Sequence, residues 1–483
     1  MIQITRCHAW AISILIGTIL LTVGTIPAFS SINHEVRDSA NIKSKGSCDT
    51  SPQSRSSRMD SPVEWDRVFG GDLVGNGYSV CETTDGNYVV TGYIENTSGN
   101  RDIALMKIDP NGNELWNISF GGVHDDTGYC VRQTSDGGYV ITGVVDWYFD
   151  MVFFYHVGLL KVDQNGNLLW DKSFAFLSES AGRSVLETSD HGFIIVGWTN
   201  HYDLLLVKTD ESGNEQWNKT FGGTNIDIGL SIEHGTDGGY LILGNTESFG
   251  NSSVWLIKIN ENGDELWNRT LLGTQNVWAD SMGYTSDGGH IISGYFDPIY
   301  SSIDAWLMKV NESGVEEWNR TYGGSLDDVG NSVQQTTDGG FVFTGFTGAT
   351  HFEGPYTFWV VRTDANGVEQ WNRSILSEKS GYGSDIQQTT DGMFIITGNL
   401  DSRIWILKIA DQPPHAKRTA FMIGTISDLE TEGVFITFQA KFVLSVHLFP
   451  LNITHYSRTE YVTISQNYRG ILRPKFIGCL SRT

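Results

Sequence analysis

The chain reads as an all-β protein: a seven-bladed β-propeller of four-stranded blades, closed by its N-terminal strand, with a small C-terminal β-rich unit. Three observations predict this. One motif recurs seven times, one copy of it reads as four short strands, and the strand count balances only if the array closes on itself.

The motif is anchored by Trp65, Trp116, Trp170, Trp217, Trp267, Trp318 and Trp371, spaced 47 to 54 residues apart. From each Trp to the Asp of the next T-x-D-G-G element is always 20 residues, as from Trp116 to Asp136. From that Asp to the Gly closing the next apolar run is always 7, and from the basic residue of the following run to the next Trp is always 9. Only the stretch from that Gly to the Lys or Arg varies, between 10 and 18 residues. All length change therefore falls in one loop, between the second and third strands of each unit.

The first unit shows the pattern. Gly77 to Thr83 leads to a turn at Asp85-Gly86, Tyr88 to Tyr93 is β-branched and aromatic, and Asp102 to Ile108 ends at Asp109-Pro110-Asn111-Gly112-Asn113. Glu114 to Phe120 carries the Trp and stops at Gly121-Gly122. Short β-rich runs bounded by Asp-Gly and Asn-Gly are hairpin signals, and the runs lack helix caps and helical period. Four strands in 40–50 residues, repeated, is propeller arithmetic. The last unit lacks a fourth strand after Ile409, and an orphan fourth strand, Val63 to Phe69, precedes the first. Joining them removes two bare edges.

The organisation that follows is 1–30 as a signal peptide or membrane anchor, 31–61 as a disordered linker, 62–411 as the propeller and 412–483 as the C-terminal region. Arg6 and His8 precede the apolar run Ala9 to Ile26, and Ala28-Phe29-Ser30 offers small residues for cleavage. An uncleaved run would be the chain's one link to a membrane. The expected location is extracellular or cell-surface. Gly433 to Leu448 and Tyr461 to Ser465 read as strands. The formal charge of −24 argues against nucleic acid as a partner and suits a solvated, monomeric propeller. The five cysteines form no C-x-x-C and no zinc spacing.

The run Lys107-Ile108-Asp109-Pro110-Asn111-Gly112-Asn113-Glu114-Leu115-Trp116 and its copies resemble the tryptophan-docking repeat of quinoprotein-type (PQQ-like) propellers. The T-x-D-G-G-aromatic element is similar to a repeat of secreted prokaryotic propellers. Together they cover about three-quarters of the chain. The resemblance implies that the seven tryptophans lock neighbouring blades. It does not imply the quinone, since the calcium-binding Glu/Asn/Asp set and adjacent cysteines are missing; no cofactor is expected.

Asp109-x-Asn111-x-Asn113 has oxygens at alternate positions like the start of a calcium loop, but it carries no bidentate acid and reads as an Asx turn, so no metal is assigned. Trp255, Trp306, Trp359 and Trp405 read as packing between blades, and Asp126, Asp227 and Asp328 as solvated or turn-forming. Sequons at Asn117, Asn218, Asn268, Asn319 and Asn372, each directly after the repeat Trp, are glycan acceptors in a secreted chain or simply wet positions of an outer strand. No catalytic motif is present, so no catalytic residue is assigned. The function expected is binding or scaffolding of a glycan or protein; the competing reading is a polysaccharide-active enzyme, a glycosidase or lyase, whose site is drawn from several blades. Repeat regularity favours binding, because an enzyme on this scaffold breaks the pattern with distinct polar residues near the axis. The candidate binding face is set by the variable loops and their aromatics: Trp147, Tyr148 and Phe149; Tyr295, Phe296 and Tyr300; His351, Phe352 and Tyr356.

Overall fold

The structure is a computed structural model. It describes residues 63–411 except 150–151, 177–178, 200–202, 236–237, 250–251, 273–275, 298–301, 350–354 and 376–379, together with strand backbone at 9–11, 18–23, 419–426, 435–448, 451–465 and 475–477. The chain divides into two units, Ser61–Pro413 and Met1–Asp60 with Pro414–Thr483.

The first unit is seven antiparallel sheets of four strands each. Blade 1 is Gly75–Glu82, Tyr88–Glu95, Arg101–Ile108 and Glu114–Phe120, in that spatial order from the axis outward. The innermost strands of blades 2 to 7 are Thr127–Gln133, Ser180–Glu187, Asp227–His234, Val277–Tyr284, Asp327–Gln335 and Gly381–Gln388. Blade 7 takes its outer strand from the front of the chain: Val63–Phe69 pairs antiparallel with Arg403–Ile409. The ring is then sewn shut across blades 7 and 1, where Asp385 accepts from the Val80 N–H at 2.9 Å and Glu82 accepts from the Thr390 N–H and hydroxyl, both at 2.9 Å.

The middle two strands of each blade are buried on both faces, so they read as continuous apolar runs, such as Leu204–Thr209 with every residue buried. The outer strands alternate exposed and half-buried positions, as Glu215–Phe221 does. Apolar side chains from adjacent blades fill the gaps between them; Trp255, Trp306, Trp359 and Trp405 are 2–6 % exposed and lie in four such clusters.

Two devices explain the rigid spacings. At the rim, each repeat Trp lies against the turn glycine of the next blade: Gly263 has φ +76°, and a Cβ there would come within 2.5 Å of the Trp217 ring. The same packing sets Trp65 on Gly112, Trp116 on Gly166, Trp170 on Gly213, Trp267 on Gly314 and Trp318 on Gly367. Among the described residues no turn glycine meets Trp371. Arg373 covers its ring instead at 4.3 Å and donates to the Ala410 carbonyl at 3.0 Å. Inside the blade, the Asp of T-x-D-G-G accepts from the basic residue that closes the third strand, as Asp136 does from Lys161 and Asp190 from Lys208. Burial works to raise these carboxyls, but hydrogen bonds from Thr, Lys and the turn N–H outweigh it and hold Asp136, Asp190 and Asp287 down at about 2.

Two expectations change. The blade 2 segment with Trp147, Tyr148 and Phe149 is not a loop but the end of Tyr139–Phe149, an 11-residue strand paired with Val152–Val162, so extra length here lengthens a hairpin. Asp126, Asp227 and Asp328 are not solvated: they are 6 %, 0 % and 1 % exposed. Each accepts from a glycine N–H of the blade-to-blade connection, as Asp227 does from Gly223 at 2.8 Å.

In the second unit, Thr18–Val23, Thr419–Ile426, Phe435–Leu448 and Leu451–Ser465 form one antiparallel sheet in that order, and Ala9–Ala11 pairs with Lys475–Ile477. Nine residues of the apolar run 9–26 thus pair with the C-terminal region. No helix among the described residues is long and apolar enough to cross a membrane.

Candidate functional site

Every inner strand carries a β-bulge at one register. Pairing with the second strand slips between Gly77 and Ser79, Gly128 and Cys130, Gly182 and Ser184, Gly229 and Ser231, Ala279 and Ser281, Gly330 and Ser332, and Gly383 and Asp385. A bulge leaves one residue unpaired and re-aims its side chain. Here that residue is Tyr78, Tyr129, Arg183, Leu230, Asp280, Asn331 and Ser384 around the ring. All seven are half-buried, and all line one axial cavity of about 390 Å³. The ring thus presents six residue types at this position.

The cavity wall is unequal around its circumference. Tyr78 and Tyr129 form a tilted pair with ring centroids 5.2 Å apart, and Tyr93 stands 6.1 Å from Tyr78. Outside the cavity lining, Tyr382, whose hydroxyl accepts from Asn76 at 2.8 Å, and Tyr356, 6.2 Å from Tyr382, pack on the cluster of Ile303, Val329 and Phe346. On blade 3 the Arg183 guanidinium sits 4.5 Å over the Tyr129 ring. Beyond Leu230 comes Asp280, whose Oδ2 is out of solvent with no hydrogen-bond partner; Arg183 Nε and Ser384 Oγ share that condition. Burial raises the Asp280 carboxyl to about 7, with Arg183 acting against the rise. Asn331 donates to the Gly383 carbonyl at 2.7 Å.

Three residues further along the inner strands, Arg132 of blade 2 reaches past blade 3 to Glu233 of blade 4, Nη2 to Oε1 3.2 Å. The Glu233 charge raises the Arg132 pKa further. This pair lies nearer the tight Asp-Gly turns. The bulge ring lies nearer the face of the variable segments, because the start of each inner strand pairs with the end of the second strand, as Gly75 does with Ile94. Cys81 and Cys130 also line the cavity and are free thiols.

Of the aromatics expected on the binding face, three have described side chains. Tyr295 and Tyr356 are half-buried against the cluster of Ile303, Val329 and Phe346, with the Tyr356 ring 4.6 Å from that of Phe346. Phe296 packs on the cluster containing Val277 and Trp306. Trp147, Tyr148 and Phe149 are placed as strand backbone, and Tyr300, His351 and Phe352 lie outside the described residues. The sequon amides are on exposed outer strands; Asn218, Asn268 and Asn372 each donate to the Glu three residues earlier at 2.6 Å, and Asn117 and Asn319 make the same contact. Both carboxylate oxygens of Asp109 are taken by N–H donors of Asn111 and Asn113, as an Asx turn requires. Sequence reasoning missed the bulge ring. Its sequence signal is weak: the column directly after the Gly or Ala varies among the seven units, but so do the columns at Asn76 and Cys81 and their counterparts.

No family model matches the chain, and no curated protein matches it. Among solved structures it is similar to a protein of unknown function from Bacteroides caccae, at 14 % identity and TM-score 0.39, over 62 % of this chain and 94 % of that one. It is similar to the Pan2 WD40 domain of Neurospora crassa at 7 % identity and TM-score 0.44, over 70 % and 90 %. A third is Sqt1 from Chaetomium thermophilum, at 12 % identity and TM-score 0.42, over 73 % and 99 %. Likenesses of this strength carry no argument about what the chain binds; the propeller stands on its own seven four-stranded sheets and their closed ring.

Proposed function

We propose that this is an extracellular or cell-surface binding propeller whose glycan or protein ligand is held at the axial bulge ring. One observation carries the reading: seven blades built to one plan present six residue types at the bulge position that lines the axial cavity. A ring needed only for stability gains nothing from such variety, whereas a ligand of low symmetry needs it. Residues 1–30 direct export of a monomeric chain, and the five sequon asparagines after the repeat tryptophans receive glycans where the host supplies them.

The second reading, a polysaccharide-active enzyme, is favoured by one feature. The axial break in the pattern is what such a site requires, and it includes a carboxyl at about 7, suited to giving or taking a proton near neutral pH. One experiment addresses both readings. The exported protein is screened on a glycan and protein array, with reducing-end release recorded in parallel. Substituting Tyr78, Arg183 and Asp280 singly should weaken the bound hit while the melting curve holds. Release abolished by Asp280→Asn would favour the enzyme. Affinity lost only on substituting Trp147, Tyr300 or Tyr356 would move the site to the loops. A chain recovered soluble in the cytoplasm with Met1 intact would count against export.

A further inference from the structure

The lining of the axial cavity points to a class of ligand. Resting on the axial site just proposed, we infer that the bulge ring takes an uncharged sugar ring, with its C–H face on the Tyr78–Tyr129 side and its hydroxyls toward Arg183, Asp280 and Ser384.

Charge comes first. The cavity offers each cation an opposed carboxylate: Arg132 is bridged to Glu233, and Arg183 faces Asp280 across Leu230. The third carboxyl, Asp385, is engaged by the Val80 and Ile386 N–H groups and the Ser332 hydroxyl, at 2.7–2.9 Å. Two cations stand against three carboxyls, and burial raises the Asp280 and Asp385 carboxyls toward the neutral form, so neither sign dominates. An ammonium ligand seeking the tyrosines meets Arg183 already over the Tyr129 face at 4.5 Å. An anionic ligand seeking Arg183 meets the Asp280 carboxyl. Either would enter a half-buried site with one unfavourable charge beside it.

Hydrogen bonding comes second. Three polar atoms at the bulge level are out of solvent and unpartnered: Arg183 Nε, a donor; Asp280 Oδ2; and the Ser384 hydroxyl, which gives or takes. Buried polar groups left unpaired cost free energy, so their presence around one ring, on blades 3, 5 and 7, calls for a partner that supplies both donors and acceptors. Hydroxyls on adjacent carbons do this. Between Ser384 and Arg183, on blades 1 and 2, stand Tyr78 and Tyr129, rings tipped with hydroxyls, which suit the apolar face of a pyranose. A cavity of about 390 Å³ is within the range of small-molecule sites and has room for a sugar unit.

The test is calorimetric titration of the full-length exported protein with the methyl glycosides of glucose, galactose and mannose and their disaccharides. Glucosamine and glucuronate are the charged controls. At least one neutral glycoside should bind. Tyr78→Ala should weaken it about tenfold and Tyr78→Phe much less, since the ring is kept. Asp280→Ala should weaken it more than Asp280→Asn, with melting curves confirming that each variant is folded. Binding of glucosamine or glucuronate alone, lost in these variants, overturns the sugar class while leaving the axial site. A neutral glycoside whose affinity ignores all four variants overturns the axial site itself. Silence from the whole neutral panel at millimolar concentration overturns the inference.

Discussion

The outer rim and the axis of this ring answer the same sevenfold problem in opposite ways. At the rim, one residue is used seven times, and six of the seven tryptophans rest on a glycine of the next blade. At the axis, one backbone feature is used seven times, the bulge, while its side chain changes from blade to blade. Sameness of side chain marks what every interface needs. Sameness of backbone with variety of side chain marks what the ring presents to something else.

The comparison makes its largest claim on stability. Trp217→Ala removes a ring wedged between blades 3 and 4 and should cost about 3 kcal/mol, at the lower end for truncating a large aromatic because the ring is only half-buried. Leu230→Ala, on the inner strand of blade 4, should cost less, about 1–2 kcal/mol, since its half-buried side chain lines the cavity as well as packing on the cluster with Val277 and Trp306. Urea midpoints for the two variants decide it. Equal losses would mean the axial position is packing after all. Gly263→Ala is a companion test: it adds strain at a positive φ and collides with the Trp217 ring, so it should destabilise in the same direction without touching the Trp.

The second claim concerns pH. The Asp280 carboxyl is raised to about 7, so the folded chain holds a proton there that the unfolded chain releases near 4. Stability from this group therefore falls as pH rises from about 4 through 7. The blade carboxylates act with the opposite sign: Asp136, Asp190 and Asp287 lie at about 2, so their contribution is present above about 4 and is lost in stronger acid. Asp280→Asn should raise the melting temperature at pH 8 and change it little at pH 4. An equal shift at both values would sever the carboxyl's protonation from its burial.

Much of this was legible in the sequence, for a physical reason. Trp, the T-x-D-G-G turn and the basic residue are tied by contacts that repeat in each blade, so their spacing is fixed and shows at once. The closing strand was legible because Val63–Phe69 repeats the pattern of Glu114–Phe120. The axial site was not. Its residues share no chemistry, and each taken alone, Tyr78 or Leu230 or Ser384, is an unremarkable strand residue. Only the bulge makes them one ring, and a bulge is a matter of pairing register, which composition and period do not carry. The loop aromatics were the more visible signal, but Tyr295, Phe296 and Tyr356 rest against apolar clusters at the blade ends.

The smallest claim concerns where the seams depart from the pattern. On the turn face, the backbone N–H in the second position of the T-x-D-G-G turn is accepted by a Gln or Glu near the end of the next inner strand. Thr84 donates to Gln133 at 2.8 Å, Ser135 to Glu187 at 2.6 Å, Ser286 to Gln335 at 2.7 Å, Thr337 to Gln388 at 2.8 Å and Thr390 to Glu82 at 2.9 Å. Blades 4 and 5 place His234 and Tyr284 at that position instead, and each ring turns to its own blade, His234 to Tyr240 at 5.7 Å and Tyr284 to His290 at 5.6 Å. The latch is thus replaced on both sides of blade 4, opposite the sewn junction of blades 7 and 1. His234→Gln sets an acceptor against the Ser189 N–H and should add about 0.5–1 kcal/mol, the worth of one exposed-edge hydrogen bond less the lost ring contact. The reverse change, Gln335→Ala, should remove a similar amount. Urea midpoints measured on both variants read the pair together: a gain at 234 matched by a loss at 335 makes the latch a property of the seam, whereas a loss at both would show that the His234 ring already holds blade 4 as well as the hydrogen bond would.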